Sequence, residues 1–93
     1  MKSYFLEGLG EAPLTRSELE KVLKNQIDPW LLISENGEPI AYFNVSVGDD
    51  GASCIQADLS GRHFYQDEQV LRALRKLQRR LGGVIRDDDN NEL

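Results

Sequence analysis

Hydrophobic and polar residues fall into two rhythms along this chain, one of period two and one of helical spacing. Residues 40–47 alternate: Ala41, Phe43, Val45 and Val47 take one side of an extended chain, and Ile40, Tyr42, Asn44 and Ser46 the other. Residues 54–59 repeat the pattern, with Ile55, Ala57 and Leu59 apolar and Cys54, Gln56 and Asp58 mixed. Residues 30–34 are apolar at nearly every position, as in a strand covered on both faces. Asn36-Gly37 suits a tight hairpin, because both residues tolerate positive φ, and Gly48-Asp49-Asp50-Gly51 supplies a second turn. Residues 30–59 therefore read as a three-stranded antiparallel meander with one core face and one amphipathic face.

Two stretches carry the helical spacing. Thr15 and Glu18 stand at the separation of a capping box, with Leu14 and Leu19 placed as a hydrophobic staple. This predicts a helix from Arg16, with Leu19, Val22, Leu23 and Ile27 on one stripe. Asp28-Pro29 should end it, since the residue before proline avoids the helical region. The second helix is predicted from Asp67 or Glu68, where acids suit the positive end of the dipole, to the stop at Gly82-Gly83. Its apolar stripe is Val70, Leu74, Leu77 and Leu81, flanked by Leu71 and Ala73.

A short strand over residues 2–7 precedes the first helix, with Tyr4 and Leu6 on one face, Phe5 on the other, and Gly8 and Gly10 closing it. A last strand begins at Val84-Ile85. The order β-α-β-β-β-α-β predicts an α+β fold: a single domain over residues 1–86, with a mixed sheet built on the antiparallel meander and two packed helices. The last strand is expected to run parallel to the strand over 52–59, through a right-handed crossover made by the second helix. Residues 87–93 are expected to form an acidic disordered tail.

Charge changes this picture because it is unevenly spread. The net charge is −5, yet residues 61–86 hold 7 basic and 2 acidic side chains, while residues 1–60 and 87–93 are both acidic. The overall sign disfavours nucleic acid as a partner, and the basic block keeps one local anion-binding surface in view. With a lone cysteine, Cys54, no internal disulfide forms, and no apolar run approaches a membrane span or a leader's apolar region. The expected setting is cytoplasmic, with no membrane partner.

Candidate chemistry is sparse. Cys54, Asp58 and His63 invite a nucleophile reading, but no oxyanion hole or base at hydrogen-bond spacing accompanies them, so no catalytic residue is assigned. Asp87-Asp88-Asp89-Asn90-Asn91 has oxygen ligands like the start of a calcium loop, but the glycine and glutamate such a loop needs do not follow, so no metal site is assigned either. The layout of ISENGEPIAYF, the strand over 55–59, the helix after it and VIRDDDNN resembles the central part of the GNAT acyltransferases. That family's pyrophosphate loop, R/Q-x-x-G-x-G/A, would fall where this chain reads Gly61-Arg62-His63-Phe64-Tyr65-Gln66. Without the family's glycines there, backbone amides cannot approach a pyrophosphate, and no cofactor is expected.

The remaining expectation is a small non-catalytic interaction domain. Its primary surface would be the amphipathic sheet face carrying Ile40, Tyr42, Asn44 and Gln56, facing a protein partner or a second copy in a homodimer. The alternative is an anion or nucleotide-moiety binding module using Arg72, Arg75, Lys76 and Arg79, which share one sector of the second helix opposite its leucines. The sheet face is preferred because its aromatic and amide groups share one strand surface, whereas the helix cations are expected to pair with the chain's own acids.

Overall fold

The computed structural model describes residues 2–23, 30–33, 37–61 and 65–93. Its elements are β1 (Ser3–Leu9), α1 (Ala12–Val22), β2 (Trp30–Ile33), β3 (Pro39–Val47), β4 (Ser53–Leu59), α2 (Asp67–Leu81) and β5 (Val84–Asp87). The α+β class, the element order and the meander over β2, β3 and β4 are as the sequence pattern predicts. The sheet is not mixed, however. Its order is β2-β3-β4-β1-β5, and every neighbouring pair is antiparallel. β5 does run in the direction of β4, but β1 lies between them and pairs with both. The N-terminal strand thus converts an expected parallel contact into two antiparallel ladders, whose bonds are straighter and slightly more stable per residue.

Both helices lie on one face of the sheet, α1 against β3 and β4, and α2 against β1, β4 and β5. Period-two alternation fills the space beneath them. Leu6, Phe43, Ile55, Leu74, Leu77 and Leu19 are fully buried there, and Trp30 joins the same core. No helix among the described residues is long and apolar enough to cross a membrane.

Helix α1 starts four residues before Arg16, at Ala12, with Glu11 at its N-cap and Pro13 in the first turn. Proline is tolerated there because its missing N–H would have no intrahelical partner. The expected capping box does not form. Thr15 is buried inside the helix, its hydroxyl 2.6 Å from that of Ser53, which in turn donates to the carbonyl of Gly10. The staple is absent too, because Leu14 is 62% exposed. At the other end the Leu23 N–H closes the helix on the Leu19 carbonyl, while Ile27 and Asp28-Pro29 lie outside the described residues.

Three backbone irregularities shape the sheet. Gly8, at φ +77°, sits in a bulge that lets β1 continue to a buried Leu9 instead of ending at Gly8. Between Leu32 and Ile33 the β3 partner jumps from Ala41 to Pro39, so Ile40 is the extra residue of a second bulge. Ile40 and Ala41 are consequently both fully buried, and Ile40 does not belong to the amphipathic face on which simple alternation places it. Gly51, at φ +84°, closes the β3–β4 turn as expected; in the first turn Asn36 lies outside the described residues and Gly37 has φ +81°.

Residues 87–93, expected as a disordered tail, fold back on β5. The Leu93 N–H donates to the Ile85 carbonyl, and Glu92 bridges Arg86. The Asp87 carboxylate accepts the backbone N–H groups of Asp89 and Asn91, and Asn90 takes φ +66° to close the turn. These local bonds to Asp and Asn explain why an acidic run can hold a shape without burying anything. They also cover the outer edge of β5.

Candidate functional site

Two surfaces emerge from this architecture: the outer face of α2 and the uncovered face of the sheet, the one that no described helix covers. Helix α2 buries Val70, Ala73, Leu74 and Leu77. The 3.6-residue period then turns Arg72, Arg75, Lys76 and Arg79 to the opposite side, where all four are exposed. They extend over about 10 Å of helix. None of the four has a hydrogen-bond or ion-pair partner among the described residues. Glu68, one turn before Arg72, makes no pair with it.

The expectation that the chain's own acids neutralise these cations therefore fails. Its nearest helical neighbours show where the acids go. Glu18 of α1 is engaged by Arg80 and by Lys21, and the bond from Arg80 holds its carboxyl below the ordinary carboxylate range. Asp67 is bound by Lys2 at 2.5 Å and by the Tyr4 hydroxyl at 2.7 Å, which lowers its pKa and ties the start of α2 to β1. Glu7 pairs with Arg86 at 3.0 Å. The Asp87 carboxylate serves the turn after β5.

A shallow hollow of about 620 Å³ runs along the basic face, lined by Glu68, Leu71, Arg72, Arg75, Gln78 and Arg79. All six residues come from one helix, so among the described residues the hollow has no second wall. Sequence reasoning identified its cations but missed Leu71, which looks like core and is only partly covered, and Gln78, whose amide donates to the Gly83 carbonyl at 3.1 Å. A smaller recess of about 160 Å³ opens between α1 and α2, with Leu23 and Leu32 at its base and Arg72 and Lys76 on its rim.

On the uncovered sheet face, register sets the neighbours. One row across the strands is Leu31, Tyr42, Asp58 and Ser3; the next is Asn44, Gln56, Phe5 and Arg86. Tyr42, Asn44 and Gln56 are therefore together as expected, with Tyr42 39% exposed, while Ile40 is in the core. Phe5, Leu31 and Arg86 complete the rows and could be assigned only once the strand order was known. The polar groups are largely satisfied in place: Asp58 accepts from Ser3 at 2.6 Å and from Gln56 at 2.9 Å.

The sequence motifs weighed for chemistry stay apart or occupied. Cys54 and Asp58 share this face with Gln56 between them, and His63 lies outside the described residues. Burial, with Glu7 nearby, pushes the Cys54 thiol up, away from thiolate at neutral pH. Asp87, Asp88 and Asp89 bring carboxylate oxygens within 4.8 Å of one another, but those of Asp87 already accept backbone and side-chain N–H groups. Backbone bonds from Asn91 in particular hold its pKa low. No family model, curated protein or solved structure matches this chain.

Proposed function

We propose that this protein is a non-catalytic binding module that holds an acidic protein segment against α2 through Arg72, Arg75, Lys76 and Arg79. One observation carries the reading: these four cations have no partner among the described residues of a chain with 16 acidic side chains. Like charges a turn apart on a helix destabilise it by a few tenths of a kcal/mol per pair. Nothing within the described fold offsets that cost, and a partner's carboxylates would. The net charge of −5 favours a partner of lower charge density than nucleic acid, and no aromatic side chain among the described residues that line the hollow offers a base a stacking platform. Among the described residues one helix alone walls the hollow, which favours an extended partner over a small molecule, most of whose surface would stay in water.

The test is fluorescence anisotropy with a labelled polyglutamate peptide, with polylysine and a short RNA as comparison probes. Exposed charge pairs contribute roughly 0.2–1 kcal/mol each, so replacing Arg72, Arg75 and Arg79 together by Gln should weaken polyglutamate binding about tenfold. Added salt should weaken the wild type likewise. Equal binding by wild type and triple variant would refute the proposal, and tighter binding of RNA than of polyglutamate would move it to nucleic acid.

A further inference from the structure

The uncovered face of the sheet is the second large surface, and we infer that it is covered by a second copy of this chain in a two-fold, face-to-face dimer. Three observations select that occupant. The first is charge. A two-fold contact sets each surface against itself, so it cannot use a face of one sign. The four cations of α2 would meet four cations, and the turn at Asp87, Asp88 and Asp89 would meet its own acids. Among the described residues the charged groups on the sheet face are Glu7, Arg86 and Asp58. Glu7 and Arg86 neutralise each other at 3.0 Å, and Asp58 is held by Ser3 and Gln56. Asp58 is thus the one uncompensated charge among the described residues of this face, far less than the four cations that α2 would set against themselves.

The second is composition and position. Phe5 stands in the row between Gln56 and Arg86, and Tyr42 stands in the next row between Leu31 and Asp58. Tyr42 and Phe5 thus flank the central strand β4, whose own side chains on this face are Cys54, Gln56 and Asp58. Aromatic rings beside amides that can bond across a two-fold axis are the mixed composition of a non-obligate interface. The edge of β5, in contrast, is already bridged by Glu92 and Leu93, so extension of the sheet through that edge is closed.

The third is size. Five strands about 4.8 Å apart, three of seven to nine residues and two of four, give a face on the order of 500 Å² in projection. That is just under the roughly 600–1,000 Å² per partner in a specific complex, the size of a weak, reversible contact. Two antiparallel sheets would then pack about 10 Å apart, as in a sandwich. The dimer is independent of partner binding at α2, since it leaves that helix on the outside.

Sedimentation equilibrium over a concentration series tests this directly. The expected mass rises from 10.5 kDa toward twice that value. Tyr42→Lys and Gln56→Lys, each checked for an unchanged thermal transition under dilute conditions, should raise the dimer Kd at least about tenfold. The triple replacement of Arg72, Arg75 and Arg79 by Gln should leave it unchanged while losing polyglutamate binding, so either proposal can fail alone. Cys54, on the same face, gives a readout in unmodified protein. Its labelling by a thiol reagent should slow as concentration rises and the face closes. A monomer at every concentration would overturn the inference. So would a dimer in which Cys54 labels at a constant rate.

Discussion

Gly82 and Gly83 end α2 and turn the chain into β5, and comparing the two isolates one packing constraint. Both have positive φ, +78° and +88°. Alanine at either position therefore adopts a backbone conformation that L-residues rarely visit, which costs on the order of 1–3 kcal/mol. At Gly82 the space for a methyl group is empty. At Gly83 a Cβ would overlap the Glu7 carbonyl oxygen and come within 2.7 Å of Leu9 Cδ2. That oxygen belongs to β1 beside its ladder with β5, where Glu7 pairs with Val84 and Leu6 with Ile85. Backbone cannot swing aside as a side chain can, so β5 must shift and strain the contacts of Leu6, Leu9 and Ile85. Forcing an extra methyl group into packed surroundings adds roughly 1–3 kcal/mol. Gly83→Ala should therefore lose about 1–3 kcal/mol more than Gly82→Ala, out of a total stability of roughly 5–14 kcal/mol for a chain of 93 residues. A urea titration followed by the fluorescence of Trp30, the chain's single tryptophan and 2% exposed, reads both variants. With a slope near 1–1.5 kcal/mol per molar, the extra loss lowers the midpoint by roughly 0.7–3 M. Coincident midpoints for the two variants would refute the close approach of Gly83 to β1.

Thr15→Ala should cost about 1–2 kcal/mol by removing a hydroxyl from the buried pair with Ser53. In a double-mutant cycle with Ser53→Ala the two losses should fall short of additivity, whereas additive losses would mean that the two hydroxyls do not meet. Stability should also decline as pH rises above about 10, the ordinary value for a tyrosine, because burial and the bond to Asp67 push the Tyr4 hydroxyl well above it. The folded state then holds a proton that the unfolded chain releases, so its advantage is full below the unfolded pKa and shrinks above it. Denaturation midpoints across the alkaline range should show this decline in wild type and lose it in Tyr4→Phe; equal slopes in both would contradict the assignment.

What the sequence made legible follows from whether a feature is local. The leucine stripe of α2, its start among acids and its stop at Gly82 depend on neighbours within a few residues, and they are found where expected. The alternation of β3 and β4 is local too. Thr15 shows the limit: its spacing from Glu18 satisfies a capping rule, but a hydroxyl on Ser53, 38 residues away, draws it into the interior. Ile40 fails for a related reason, since a bulge depends on the register with β2 and a single extra residue moves a side chain from one face to the other. The place of β1 between β4 and β5 joins residues 44 or more positions apart, beyond any periodicity, and with it go Phe5 and Arg86 on the open face. For the candidate site the cations were legible and their lack of partners was not. Composition counts enough acids to neutralise Arg72, Arg75, Lys76 and Arg79; only the fold assigns Glu18 to Arg80, Asp67 to Lys2 and Glu7 to Arg86.

The acidic segment is proposed to bind α2, while the sheet face is left to the second copy of the chain. The most direct measurement is an NMR titration with polyglutamate that follows arginine side-chain Nε–H groups together with asparagine and glutamine side-chain amides. Binding at α2 predicts shifts at Arg72, Arg75 and Arg79 and at the amide of Gln78, all reversed by salt, with the amides of Asn44 and Gln56 unmoved. Shifts confined to Asn44 and Gln56, with the α2 arginines silent, would contradict it.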